Sequence, residues 1–157
     1  MRRATRGFTL IELLIVIALV AIASAVASLA LRDPDASQLE REAARLAALL
    51  ESARAESRVL GVPVLWVPRG AADIGGAGFR FVGLPATLRM PERWLGDEAP
   101  AVEIASVDGP ARLVRLGPEP IIGAQRIALL LGDRRIVLAT DGLGPFALAA
   151  EADDAQR

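Results

Sequence analysis

A run of 24 residues near the N-terminus, from Phe8 to Leu31, is almost wholly apolar and constrains the fold more than any other feature. As an α-helix the run would be about 36 Å long, enough to cross a hydrocarbon core of roughly 30 Å. Its only charge is Glu12, and a carboxylate is costly at membrane depth. The sequence therefore predicts a membrane-spanning helix in which one carboxylate has a function.

Basic residues precede the apolar run and set its expected orientation. Arg2, Arg3 and Arg6 lie in the first seven residues, and positive charge before a span favours a cytoplasmic N-terminus. We therefore expect residues 32–157 to lie outside the cytoplasm. A cleaved secretory signal peptide is the alternative, with sites at Ala21–Ala23 or Ala25–Ala27, but its apolar core usually has only about 7–15 residues.

The composition excludes several kinds of chemistry. The chain has no Cys and no His, so it lacks disulfides, thiolate nucleophiles and the commonest transition-metal ligand. Its net charge of −1 gives no general basic excess of the kind that nucleic-acid binding favours. The short Gly75–Gly78 segment has neither the Lys nor the following helix of a phosphate-binding loop. We expect no enzymatic activity, no catalytic residue, no metal and no cofactor.

A second helical pattern runs from about Ala36 to Leu60, with apolar residues recurring at spacings of three and four. Asp35 or Ser37 is a candidate cap and Gly61 a candidate terminator, while Pro34 suits a kink or a first turn. The apolar stripe consists of Leu39, Ala43, Leu46, Leu50, Ala53, Ser57 and Leu60. The charged residues largely off the stripe are Glu40, Arg41, Arg45, Glu51, Arg54 and Arg58. We expect the stripe to pack on the chain's own sheet, with a partner surface as the alternative.

After Gly61 the pattern changes to short strands. Val62–Val67 contains Pro63, which favours an edge strand, and Phe79–Val82 would place Phe79 and Phe81 on one buried face. Trp66 and Trp94 are expected to pack in or around the core. Further predicted strands are Ala101–Val107, Arg112–Leu116, Arg126–Leu131, Arg134–Ala139 and Pro145–Ala149, with turns at Asp108–Pro110, Gly132–Asp133 and Asp141–Gly144.

These patterns predict an α+β fold, in which a long N-terminal hydrophobic helix precedes an antiparallel β-sheet domain. One continuous helix from Phe8 to Leu60 is compatible with the pattern. The predicted segments are a basic leader (1–7), a membrane or filament-core helix (8–31), its amphipathic continuation (32–60), a β-rich domain (61–150) and an acidic flexible tail (151–157).

The residues from Arg6 to Glu12, RGFTLIE, resemble the processing site of type IV prepilins and of type II secretion pseudopilins. The resemblance implies a type IV pilin-like fold, cleavage by prepilin peptidase between Gly7 and Phe8, and N-methylation of Phe8. It also implies that Glu12 serves filament assembly by meeting the new amine of a neighbouring subunit. A protonated Glu12, or one raised to the membrane interface, remains the alternative.

Two further segments resemble the minor pseudopilin H family of type II secretion and the FimT-like minor pilins. They are residues 39–67, with Ala53-Arg54-Ala55-Glu56-Ser57 close to that family's Ala-Arg-x-Glu-Ala pattern, and residues 136–146 around Asp141-Gly142. The resemblance implies a minor pseudopilin in the bacterial inner membrane, with a periplasmic domain. Its implied partners are prepilin peptidase, other minor pseudopilins, the major pseudopilin and membrane lipid.

A FimT-like pilin that takes part in pilus assembly or DNA uptake is the alternative. DNA binding would need a cationic face for the phosphates, and Arg134 and Arg135 beside the predicted turn are the best candidates. Arg112, Arg115 and Arg126 could extend such a patch. Scattered arginines on exposed strand faces are the simpler interpretation, so we expect nucleic acid not to be a partner.

Overall fold

The computed structural model describes residues 9–30 and 34–149, which fall into two compact units divided between Pro34 and Asp35. The first unit contains helix α1, Leu10–Ala30. Within the described ranges, no helix meets the combined length and hydropathy that a membrane span requires. The span predicted for residues 8–31 and the continuous helix predicted to Leu60 both include residues outside these ranges.

Helix α2, Pro34–Leu60, provides the apolar stripe that the sequence predicts. Proline suits this first helical position, because its missing N–H would have no intrahelical acceptor there. Asp35 and Ser37 lie inside the helix, so the predicted cap at either residue is wrong. The stripe is buried from Leu39 to Ser57, and only Leu60, 42% exposed, departs from the prediction.

Gly61 ends α2 as predicted. Its φ of 67° lies in the left-handed region that glycine adopts without penalty. The Val62 N–H donates to the Ser57 carbonyl at 3.3 Å, the six-to-one bond of a Schellman motif. The chain therefore leaves the helix at a fixed angle and enters the first strand.

Within residues 34–149 the chain forms eight short strands in two antiparallel sheets, in agreement with the predicted α+β fold. One sheet has the order β2-β1-β5 and the other β4-β3-β6-β7-β8. The strands are β1 Leu65–Arg69, β2 Gly78–Val82, β3 Ala101–Ser106, β4 Gly109–Ala111, β5 Val114–Arg115, β6 Gln125–Leu131, β7 Arg134–Thr140 and β8 Ala147–Leu148.

The prediction of an edge strand after Gly61 is wrong, because β1 is the central strand of its sheet. Pro63 precedes the strand, so it removes no ladder bond. Pro68 lies within β1, but β5 pairs only with Leu65 and Trp66. The missing N–H of Pro68 therefore falls where β5 no longer runs beside the strand.

The hairpin between β6 and β7 agrees with its prediction in both position and loop length. Leu131 pairs with Arg134 across the two-residue loop Gly132–Asp133. Gly132 has a φ of 54° and Asp133 does not have a positive φ, the combination of a type II′ turn. The turn predicted at Asp108–Pro110 is shifted, because Gly109 and Pro110 form part of β4.

The core lies between α2 and the two sheets. Leu46 of α2, Trp66 of β1 and Leu129 of β6 are at most 1% exposed and belong to one cluster. The Phe79 ring lies 5.8 Å from Trp66 and 4.8 Å from Trp94, and Phe81 shares its strand face as predicted. The Gln125 side chain joins the sheets, because it accepts from the Arg115 N–H at 2.8 Å and donates to the Arg115 carbonyl at 2.9 Å.

Candidate functional site

The N-terminus of α1 carries the one charged residue predicted to act within the apolar segment. Thr9 precedes the helix as its N-cap, and its Oγ1 accepts from the Glu12 N–H at 3.3 Å. Glu12 therefore occupies the third helical position, where a carboxylate is favoured by the positive end of the helix dipole. The Thr-x-x-Glu spacing is that of a capping box, so local chemistry fixes where Glu12 stands on the helix.

The described side chains of α1, from Leu10 to Ser24, are all exposed. The large apolar ones range from 44% exposed at Val16 to 79% at Leu10. They follow one another almost without interruption, so they cover every side of the helix rather than one stripe. A helix that is apolar all round is stable only when lipid or other protein surrounds it.

Gly7 and Phe8, the predicted cleavage and N-methylation residues, lie outside the described residues. The sequence prediction for both therefore stands as it was made, on the RGFTLIE motif. Thr9, the first described residue, follows the predicted cleavage point by one residue. The cap and the predicted new N-terminus are thus neighbours in the chain.

Arg134 and Arg135, the predicted alternative DNA-binding pair, begin β7 and are both exposed. Successive strand side chains point to opposite faces of a sheet, so the two guanidinium groups do not share one face. Arg135 faces away from the core, on the same side as Arg126 of β6. Both line a groove of about 630 Å³, whose wall also includes Glu103.

Arg126 pairs with Ala139, four residues along β7 from Arg135, which corresponds to roughly 13 Å along the strand. The arginines that share one face of the sheet are therefore Arg126 and Arg135, not the predicted pair Arg134 and Arg135. They are widely spaced, and Glu103 places a carboxylate in the same groove. Arg115 lies in the other sheet, and Arg112 precedes it outside any strand. Among the described residues, no group of three or more acidic side chains is placed to hold a metal ion.

Two buried charged residues of α2 hold loops in place. Glu42, only 1% exposed, accepts hydrogen bonds through Oε1 from the N–H groups of Leu95 and Gly96. The Arg45 Nη1 lies 3.8 Å from Glu42 Oε2 and donates to the Arg93 carbonyl at 2.8 Å. These contacts attach the irregular segment 83–100 to the first half of the helix.

Arg54 holds a second loop against the other half of α2. It is 1% exposed, and its guanidinium donates to the carbonyls of Gly144 at 2.7 Å, Gly142 at 2.8 Å and Pro120 at 3.4 Å. Glu51 lies 3.8 Å from Arg54 and accepts from the Phe146 N–H at 3.1 Å. Side chains of α2 therefore hold the turn before β8 by hydrogen bonding to its backbone.

Asp141 completes this turn from within. Its Oδ1 accepts from the N–H groups of Gly144 at 2.8 Å and Leu143 at 2.9 Å. These two bonds, Gly144 first, lower the pKa of the Asp141 carboxyl from its ordinary value of 3.8.

Helical periodicity placed Arg54 off the apolar stripe and gave no reason to single out Glu42. The one signal for Arg54 was its place in the Ala-Arg-x-Glu-Ala resemblance.

Comparison with known families gives a match near the N-terminus. The family described as the prokaryotic N-terminal methylation motif matches residues 2–28, a span that includes Gly7, Phe8, Thr9 and Glu12. No curated protein and no solved structure matches the chain. The motif supports the type IV pilin or pseudopilin class, with N-methylation and processing of the prepilin type. It also implies the action of prepilin peptidase and assembly into a pilus or pseudopilus.

Proposed function

We propose that this chain is a minor pseudopilin of a type II secretion system. It is a structural subunit near the tip of a periplasmic filament that helps to export folded proteins across the outer membrane. It is anchored in the inner membrane by α1, with its N-terminus in the cytoplasm and residues 35–149 in the periplasm. Its partners are prepilin peptidase, the other minor pseudopilins and the major pseudopilin, and it performs no chemistry of its own.

The observation that carries this proposal is the exposure of α1 on all sides. Its described apolar side chains need surrounding lipid before assembly and surrounding helices afterwards. A filament subunit meets these two environments in turn, first in the membrane and then in the filament. The unit that begins at Asp35 has a core formed by its own residues, and we assign α1 to assembly.

Glu12 sets the axial position that a subunit takes during filament assembly. Cleavage between Gly7 and Phe8 creates a positive amine next to the Thr9 cap, about one helical turn from Glu12. An unpaired carboxylate among apolar helices is costly, so pairing with the amine of a neighbouring subunit favours one axial position over others. Removing the carboxylate leaves that amine buried without a partner.

Complementation of a deletion strain tests the proposal. The deletion strain receives wild-type protein, Glu12→Ala, or Glu40→Ala as a matched control on the exposed face of α2. Exoprotein activity in the culture supernatant should return with wild type and with the control, but not with Glu12→Ala. Mass spectrometry of the purified protein should show a chain that begins at N-methylated Phe8.

Unchanged secretion in the deletion strain would overturn the pseudopilin role. The FimT-like alternative would then be favoured, with DNA uptake as its readout. In that case salt-sensitive binding should weaken on substitution of Arg126 and Arg135, which share a groove, more than on substitution of Arg115. Equal effects at all three positions would indicate general electrostatic attraction to DNA and no specific DNA-binding site.

A further inference from the structure

A second site lies in the unit that begins at Asp35, and none of its lining residues belongs to α1, on which the proposed function rests. A depression of about 690 Å³ opens between α2, β2 and the segment 84–94. Its volume falls within the range of about 300–1,000 Å³ that is usual for binding pockets. Its apolar lining is formed by Phe81, Leu84, Leu88, Met90 and Trp94.

One wall of the depression is the outer edge of β2, which Glu92 covers at Phe79 but which is open at Phe81. β2 is the outer strand of its sheet, paired with β1 on one side only. The Phe79 N–H points away from β1, because it donates to the Glu92 carbonyl at 2.9 Å. Residues two apart direct their backbone groups to the same side of a strand, so the N–H and C=O of Phe81 also point outward. Phe81 also lines the depression, so this open part of the edge lies beside it.

The opposite wall is irregular but firmly attached at its base. Arg45 and Glu42 of α2 bind the backbone at 93–96, and Arg69 lies 3.5 Å from Glu92. A long connection without regular structure in a compact unit commonly has a function. Here the attachment holds the segment against the β2 edge at Phe79, through Glu92, and leaves the edge at Phe81 open.

The rim of the depression is cationic. Arg89 and Arg93 contribute exposed guanidinium groups, whereas Arg45 is paired with Glu42, and Glu92, the one carboxylate of the lining, is paired with Arg69. An occupant that carries negative charge beside bulky apolar groups would satisfy both the rim and the floor. An occupant in extended conformation would also satisfy the outward N–H and C=O of Phe81.

We propose that this depression binds an extended acidic segment of a partner protein, which adds to the edge of β2. Its backbone pairs with Phe81, an apolar side chain rests against Met90 and Trp94, and flanking carboxylates meet Arg89 and Arg93. A flat bilayer surface cannot place its anionic groups inside a concave site. Duplex phosphates need cations spread along a face rather than gathered around an apolar floor.

The test uses the full chain in detergent micelles and a defined probe, the peptide acetyl-Thr-Glu-Leu-Glu-Leu-Glu-Thr-amide. The chain has only two tryptophans, so their indole N–H signals can be followed by nuclear magnetic resonance during titration. Trp94 lines the depression and should shift, whereas Trp66, fully buried in the core, should not. The matched peptide with Lys in place of each Glu should leave both signals unchanged.

Charge reversal then locates the contact. The double variant Arg89→Glu with Arg93→Glu should weaken peptide binding by about tenfold or more, whereas Arg58→Glu, on an exposed part of α2, should not. A peptide with N-methylated central leucines should also bind more weakly, since it cannot pair with Phe81. Both arginines are exposed, and unchanged Trp66 signals would show that the variants remain folded.

Three results would overturn the proposal. They are no Trp94 shift at saturating peptide, equal binding by the Lys peptide, and equal binding by the double charge variant. Phosphatidylglycerol vesicles that reproduce the Trp94 shift, while the peptide does not, would assign the site to membrane instead. None of these results bears on Glu12 or on secretion, so this proposal and the filament role can fail separately.

Discussion

At the scale of single residues, the most consequential feature is the buried guanidinium of Arg54, which has no equally buried carboxylate beside it. Arg54 is 1% exposed, while its nearest carboxylate, that of Glu51, is 32% exposed and 3.8 Å away. Backbone carbonyls from Pro120, Gly142 and Gly144 provide most of its partners. Arginine suits this role because its planar guanidinium presents several donors in a fixed fork.

Replacing Arg54 with Met should therefore destabilise the fold strongly. The change leaves buried carbonyls without donors, and we expect the free energy of unfolding to fall by about 3 kcal/mol. Urea denaturation should show a midpoint lower by about 1–2 M. Arg58→Met is the control, because Arg58 is exposed and its loss should cost less than about 0.5 kcal/mol. Equal midpoints for the two variants would contradict the anchoring role of Arg54.

Asp141 predicts a pH dependence of stability. Its pKa is lowered in the folded state, so the charged form stabilises the fold above the ordinary value of 3.8. This contribution is lost as the pH falls through the lower, folded-state pKa. Asp141→Asn keeps an acceptor oxygen but has no charge, so wild type should be the more stable of the two near neutral pH.

The stability difference between wild type and Asp141→Asn should shrink as the pH falls below the ordinary value of 3.8 and through the lower, folded-state pKa. Denaturation at a series of pH values measures it, and a titration of the Asp141 carboxyl by nuclear magnetic resonance gives the folded-state pKa directly. A difference that grows on acidification would mean that the pKa is raised rather than lowered.

At the scale of elements, the turn before β8 is limited by close packing as well as by hydrogen bonds. Gly142 has a φ of 93°, and a Cβ there would lie 1.7 Å from the Ile122 carbonyl oxygen. Gly109 provides a matched control, because its φ is 110° and a Cβ would meet nothing within 4 Å. The pair separates backbone strain from collision.

Gly109→Ala should cost about 1–2 kcal/mol, the strain of a left-handed conformation with a Cβ. Gly142→Ala should cost clearly more, because the 120–123 segment must also move away. Thermal unfolding of both variants measures the two effects. Similar losses for the two would show that the turn relaxes without moving Ile122.

The sequence predicted elements well where one periodicity acts alone. The α2 stripe from Leu39 to Ser57 and the Gly132–Asp133 hairpin agree with prediction, because burial and turn chemistry are local signals. The burial of Glu42 and Arg54 and the central place of β1 could not be predicted. They depend on which distant backbone atoms come to lie beside α2, and periodicity contains no such information.

For the candidate sites too, the features set by local sequence were predicted and those set by distant contacts were not. The position of Glu12 followed from a local motif, and the Thr9 cap extends that motif by one hydrogen bond. The depression beside β2 had no local signal, because Phe81, Met90 and Arg45 come together only through sheet order and loop attachment. In the sequence Arg45 stood out only as a charged residue off the α2 stripe, and Arg89 and Arg93 were not singled out.

At the scale of the whole molecule, the division between Pro34 and Asp35 suggests that the second unit folds by itself. Its core contains residues of α2 and of both sheets, and every described α1 side chain is exposed. A chain that begins at Asp35 should therefore be soluble without detergent and should unfold cooperatively.

Circular dichroism during heating tests that expectation, with the full chain in detergent as the comparison. We expect the melting temperature of the β-sheet signal to agree between the two chains within about 4 °C, the shift that about 1 kcal/mol produces. A chain from Asp35 that lacks a cooperative transition would show that α1 contributes to the stability of the second unit.

The loop attachments of α2 have a consequence for how such a protein can diversify. Gln38, Glu42, Arg45 and Arg54 all bind main-chain atoms of the loops that they hold. Main-chain atoms are the same whatever side chain a residue carries, so most loop positions can change without loss of these bonds. A lineage could therefore vary the exposed surface around 84–91 and 143 to suit new partners, while the helix keeps the loops in the same place.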